Sequence, residues 1–103
     1  MATMLDHQVT GETAKIILNG RFDFASHRDF RETYEEVLNK EDVKELIVDL
    51  AAVEYIDSSA LGMLLLLRER ALSHNISVKL ANGRGPVKQV LEVANFSKLF
   101  EIL

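Results

Sequence analysis

An α/β domain, a mixed β-sheet with helices packed on it, is what this sequence predicts, with elements in the order β-β-α-β-α-β-α. Three observations lead there. A glycine-bearing turn, Thr10-Gly11-Glu12, separates two short runs near the start and signals a hairpin. Leu46-Ile47-Val48-Asp49-Leu50 is apolar almost without alternation, as strands buried on both faces are. Between and after these runs, apolar residues recur at helical spacing. Strands that alternate with helices need crossover connections, and these lay the helices on the sheet.

The first strand leads up to about Val9, and the second covers Ala14 to Asn19, with Gly20 expected to end it. A helix follows from Ala25 or Ser26. Ser26 is a preferred cap for its free amides, and Asp29 in the first turn suits the helix dipole. Phe30, Tyr34, Val37 and Leu38 form its apolar stripe. Arg28, Arg31, Glu32 and Glu35 form the charged face, where ion pairs contribute only a few tenths of a kcal/mol each.

After the Leu46–Leu50 strand a second helix is predicted from about Ser58 to Ser73. Its run Met63-Leu64-Leu65-Leu66-Leu67 covers more than one face. Burial against the sheet accounts for Leu61, Leu64, Leu65 and Leu72, which leaves Met63, Leu66 or Leu67 for a neighbouring helix or a partner. Ile76, Val78 and Leu80 alternate with polar residues as a further strand. Gly83-Arg84-Gly85-Pro86 is a loop, with Pro86 in the first turn of a third helix whose buried face is Val87, Val90, Leu91 and Ala94. For Phe96 to Leu103, periodicity leaves open a short edge strand or a last helical turn.

Composition narrows the function. The chain has 103 residues, of which 48% are apolar and 27% charged, the balance of one ordinary globular domain over residues 1–103. Such a domain buries only about two-thirds of its unfolded surface and is modestly stable. A net charge of -4 with no basic run argues against nucleic acid as the direct partner. The absence of cysteine excludes disulfides and thiolate metal sites and fits a cytoplasmic protein. Residues 1–7 have neither a basic nor an apolar signal-peptide region. The longest apolar run, Ala60 to Leu67, is far shorter than the roughly 20 residues of a membrane span, so no membrane insertion is expected.

The informative stretch is Val53-Glu54-Tyr55-Ile56-Asp57-Ser58-Ser59-Ala60-Leu61-Gly62. It joins a buried strand to a helix and places one carboxylate and two hydroxyls at the junction. The first amides of a helix lack internal partners and carry partial positive charge, so Asp57 or Ser58 serving as a cap is the ordinary explanation. The functional alternative is that Ser58 accepts a phosphate. A serine at a helix start can reach a kinase active site, and phosphate there meets free amides. The modification adds about -1.5 to -2 charges beside Asp57, enough to repel an interface built around the loop.

Asp57-Ser58-Ser59-Ala60-Leu61-Gly62-Met63-Leu64-Leu65 resembles the Asp-Ser-Ser/Thr-Gly-Leu-Gly-x-Leu-Leu signature of STAS-domain anti-sigma factor antagonists. Leu18-Asn19-Gly20-Arg21-Phe22-Asp23 resembles that family's second strand, which ends in Gly-x-Leu/Phe-Asp. Leu46 to Leu50 resembles its central strand, and the match covers nearly the whole chain. The resemblance implies a STAS-type fold and a partner-switching cycle. In it the unphosphorylated antagonist captures an anti-sigma factor that is also a serine kinase, and so releases the kinase's target. Phosphorylation of Ser58 ends that capture, and a metal-dependent serine/threonine phosphatase restores it. On the same basis Asp23, Asp57, Ser59, Ala60, Leu61 and Gly62 lie at the partner interface, with Ser59 a secondary acceptor. The free protein is expected to be a monomer without cofactor or metal. Ala60 departs from the family's glycine, and its extra methyl is expected to restrict how closely a partner backbone approaches.

The same fold could serve as a structural subunit that binds the ATPase of a lipid transporter without phosphorylation. An enzyme is not expected: no histidine or lysine stands at an activating position, and the Gly-x-Ser-x-Gly elbow is missing. His7, His27 and His74 are scattered and read as solvent-facing. Gly83-Arg84-Gly85 lacks the lysine of a phosphate loop. Asp49 and Glu54 form no evident acid-base pair. Asp23 has an ordinary role as a turn or cap residue, and of its neighbours Phe22 and Phe24 one is free to point outward.

Overall fold

The computed structural model describes residues 4–103. Residues 1–3, on which part of the signal-peptide reading depends, lie outside them. The elements are β1 (Met4–Thr10), β2 (Thr13–Phe22), a 3-10 turn (Phe24–Ser26), α1 (His27–Leu38), β3 (Glu45–Ile56), α2 (Ser58–Ser73), β4 (Ser77–Ala81), α3 (Gly85–Val93), a second 3-10 turn (Phe96–Lys98) and β5 (Glu101–Ile102). The tail thus holds both a helical turn and a short edge strand. The sheet order is β1-β2-β3-β4-β5, with β1 antiparallel to β2 and every other pair parallel.

One face of this sheet is covered. Ala14, Ile16 and Leu18 of β2 and Leu46, Val48 and Leu50 of β3 are fully buried, and they join Phe30, Val37, Leu64, Leu67, Val87 and Leu91 of the helices in one core. The alternate strand positions, Lys15, Ile17, Ile47 and Asp49, are only partly buried. The apolar run of β3 therefore does not mark a strand buried on both faces. Its odd-numbered residues face the open side of the sheet, where Asp49 meets Lys15 at 3.6 Å and Lys79 bridges Glu45 at 2.6 Å and Glu101 at 3.6 Å.

Two element boundaries differ from expectation. Gly20 does not end β2. It takes φ +85° inside the strand, beside a register shift against β3, and the ladder resumes through Phe22. A glycine in the left-handed region is the usual way to seat such a bulge without steric cost. Ser26 does not cap α1: its side chain is buried, and its Oγ donates to the Arg21 carbonyl at 3.3 Å. The cap belongs to Asp23, one short turn earlier.

The faces of α2 also rotate relative to the reading of its leucines. Met63, Leu64 and Leu67 are buried, whereas Leu65, Leu66 and Leu72 are exposed. Against α1, the helix is fixed by Arg70, whose Nε and Nη2 each donate to the Glu35 carboxylate at 2.8 Å. That forked bond holds the Glu35 carboxyl below its usual range.

Candidate partner-docking site at the Ser58 end of the sheet

Among the described residues, β2 and β3 run on past their neighbours. The described part of β1 reaches the Met4–Asn19 pair, and the β4 ladder ends at the Asp49–Ala81 pair. Residues 20–22 and 53–56 therefore pair only with each other among the described residues, as a ribbon whose last rung is Phe22–Ile56. Because the two strands are parallel, both chains leave the ribbon at the same end. Asp23 and Asp57 follow the last rung directly, which brings together two segments far apart in sequence, and the 3-10 turn after Asp23 packs against α2.

The two aspartates do the same work. Each has extended backbone dihedrals and turns its carboxylate onto free amides of the element it starts. Asp23 accepts from the Ala25 amide at 3.0 Å, and Asp57 accepts from the Ala60 amide at 2.9 Å. Asp57, not Ser58, is therefore the cap of α2. Ser58 is left at the first helical position with its side chain exposed, and neither Ser58 nor Ser59 forms a side-chain hydrogen bond among the described residues. The capping role open to Ser58 in the sequence falls to its neighbour.

The remaining motif residues divide by face. Ala60 is fully buried, so its methyl fills the core and presents no surface to a docked protein. The expectation that Ala60 contacts a partner and limits its approach is corrected accordingly: α2 turns this position inward. Leu61 is half-buried against the core, while Gly62 lies on the outer side, where an added Cβ would meet nothing within 4 Å. A glycine inside a helix costs roughly 0.5–1 kcal/mol relative to alanine, and no internal contact here requires it.

Two features of this end were not legible in the sequence. Arg21 lays its guanidinium over the Tyr55 ring, 4.1 Å from the centroid, while its Nε reaches Asp23 Oδ2 at 3.4 Å. Only the parallel register, which pairs Arg21 with Tyr55, brings them together. Of the two phenylalanines, Phe22 is buried and stacks edge-on against Phe30, whereas Phe24 is 72% exposed and lies over the His27 ring at 5.9 Å. The alternation around Asp23 hinted at such a split without saying which ring faced out.

Asp49 and Glu54 are not joined to each other by any hydrogen bond among the described residues. Burial pushes the Asp49 carboxyl up, but the Ala51 amide, the Asn82 carboxamide and Lys15 outweigh it and hold the group below its ordinary value. Glu54 is exposed. Among the described residues no cluster of histidine and carboxylate side chains could hold a metal ion, and no helix is long and apolar enough to cross a membrane.

The family model described as "Mlab, STAS domain" matches residues 5–102. The chain belongs to the STAS-domain family. A STAS-domain containing protein of Pseudomonas aeruginosa is 46% identical over 92 residues, which is 89% of each chain. In fold, this STAS domain is similar to an anti-sigma factor antagonist from Mycobacterium paratuberculosis, with TM-score 0.84, 18% identity and coverage of 97% of this chain and 84% of that one. It is also similar to the phosphorylated form of the Bacillus cell fate determinant SpoIIAA, with TM-score 0.72, 20% identity and coverage of 98% and 90%. The mixed sheet and helix order expected from the sequence are those of this fold.

Proposed function

We propose that this STAS domain is a cytoplasmic anti-sigma factor antagonist whose binding is switched off by phosphorylation of Ser58. It works by docking rather than by catalysis: unphosphorylated, it captures an anti-sigma factor that is also a serine kinase and thereby frees the kinase's target. A serine/threonine phosphatase returns the modified protein to the binding state. The observation that carries this reading is the Ser58 hydroxyl, exposed and unengaged at the first position of α2, because Asp57 already caps the helix. A hydroxyl with no structural duty is open to modification without cost to the fold. A protein of the same fold, SpoIIAA, has a phosphorylated form, which is in keeping with a phosphorylated state of this domain.

The surroundings suit a switch. A phosphate on Ser58 adds about -1.5 to -2 charges next to Asp57 and near Asp23. The helix amides can accommodate it, so the domain stays folded. A partner seated over Phe24, Gly62 and the first turn of α2 would meet both the added bulk and the added charge. The test uses Ser58→Ala and Ser58→Asp forms as bait in the native cells, followed by titration calorimetry with the captured kinase. The alanine form should bind like the unmodified protein, and the aspartate form at least about tenfold more weakly, a difference of about 1.4 kcal/mol. A transporter ATPase that co-purifies equally with both forms would favour the structural-subunit reading instead.

A further inference from the structure

We infer that the groove between α1 and α2 is a second docking surface, built to take a carboxylate-rich segment of the protein that binds at the Ser58 end. The inference rests on the proposal that a protein partner docks at that end, and it adds where else the partner is held and by what chemistry.

The groove is lined by His27, Arg31, Tyr34 and Glu35 of α1 and by Leu66 and Arg70 of α2, with a volume of about 450 Å³. It continues into a hollow of about 560 Å³ that adds Arg28 and Glu32. At its end nearest the α1 start, exposed Phe24 lies over His27, so the groove meets the surface that carries Ser58.

Two arginines in it are unexplained by the fold. Arg28 and Arg31 are exposed and form no hydrogen bond or ion pair among the described residues. They stand three apart on one helix face, where like charges repel. Arg28 also lies in the first turn of α1, where the helix dipole disfavours a cation. Their i+4 carboxylates relieve this only in part, since Arg31 acts on Glu35 through its charge without a bond. Glu32 does not pair with Arg28, and Glu35 is committed to Arg70 through both oxygens. Three arginines against two glutamates leave the groove positive on a chain whose net charge is -4. The Glu35–Arg70 clamp fixes the two helices, so the unpaired guanidinium groups are presented by a rigid frame. Leu66, 49% exposed, adds one apolar contact.

Guanidinium forks bind carboxylates in pairs, and an acidic protein segment supplies several at helical or extended spacing. An apolar side chain of the same segment would cover Leu66. Such a grip tethers the partner independently of Ser58, so phosphorylation removes one of two contacts rather than the whole interface.

The probe is a fluorescein-labelled synthetic peptide of glutamate and leucine at amphipathic helical spacing, beside its glutamine counterpart, with sites mapped by amide chemical shifts. The glutamate peptide should shift the amides of residues 27–35 and 66–70. Its affinity should fall at least about tenfold in the doubly substituted Arg28→Glu/Arg31→Glu protein and again on raising salt. The milder Arg28→Gln/Arg31→Gln form, checked for an unchanged melting temperature, should fall in between. Shifts located elsewhere, no binding, equal binding of the glutamine peptide, or full binding by the substituted proteins would overturn the inference. Ser58→Asp should leave peptide binding unchanged, so a failure of the phosphorylation switch and a failure of the groove are read in separate assays.

Discussion

The open face of the sheet and the Ser58 end are both polar and both solvent-exposed, yet they are built differently. On the open face the charges complement one another: Lys15 meets Asp49, Lys79 meets Glu45 and Glu101, and Asn82 donates to Asp49. At the Ser58 end an aromatic ring is 72% exposed, a glycine sits in a helix without an internal reason, and two serine hydroxyls have no partner among the described residues. A surface that meets only water is finished internally. An exposed ring, a glycine and unused hydroxyls gathered at one end fit the docking proposed for it.

The sharpest way to break this contrast is at the two phenylalanines around Asp23. Phe22→Ala removes a fully buried ring and should lower unfolding free energy by about 3–5 kcal/mol in urea melts. Phe24→Ala should change stability by no more than about 0.5 kcal/mol yet weaken partner binding by more than about 1 kcal/mol. A loss of stability from Phe24→Ala as large as from Phe22→Ala would mean that the exposed ring is structural. Next in size is the cap. Asp57→Ala should cost about 1 kcal/mol, measured in the same melts, because the Ala60 amide loses its acceptor.

Gly62→Ala should do the reverse and stabilise the isolated domain by roughly 0.5–1 kcal/mol. Binding should weaken at the same time, since the new methyl projects where a partner would sit. Stabilisation with unchanged binding would remove Gly62 from the interface. The smallest effect concerns the open face. The Asp49 carboxyl is held below its ordinary value in the folded state, so its contribution is complete above the unfolded value of about 3.9 and is lost as pH falls through the lower folded one. Urea midpoints between pH 5 and 2 should therefore fall less steeply in Asp49→Asn than in the parent, by under about 1 kcal/mol in all.

Much of the fold was legible where a local signal had no competitor. Pro86 and the Gly83–Gly85 loop located the third helix, and the turn at Gly11 located the hairpin. The bounds Ser58–Ser73 of α2 followed from the aspartate-serine junction and the end of the apolar run. What failed to read were faces. With leucines on every side, α2 has too little periodicity to tell inside from outside, so Leu65 and Leu72 were assigned to the core and Met63 and Leu67 were left open. The same holds for β3, where Ile47 on the open face made a half-covered strand look doubly buried. At the site, Ser58 and both aspartates could be found from the motif, but Ala60 points inward because of that unreadable helix rotation. The Arg21–Tyr55 contact depends on strand register, which no local pattern encodes.

The central claim is that Ser58 carries a reversible phosphate, and phosphosite mapping of the chain isolated from its native cells tests it most directly. The expected result is a substoichiometric phosphate on Ser58 whose occupancy changes with growth condition and rises when the phosphatase is removed. An intact mass without phosphate under every condition, together with a partner that stays bound to the Ser58→Asp form, would contradict it.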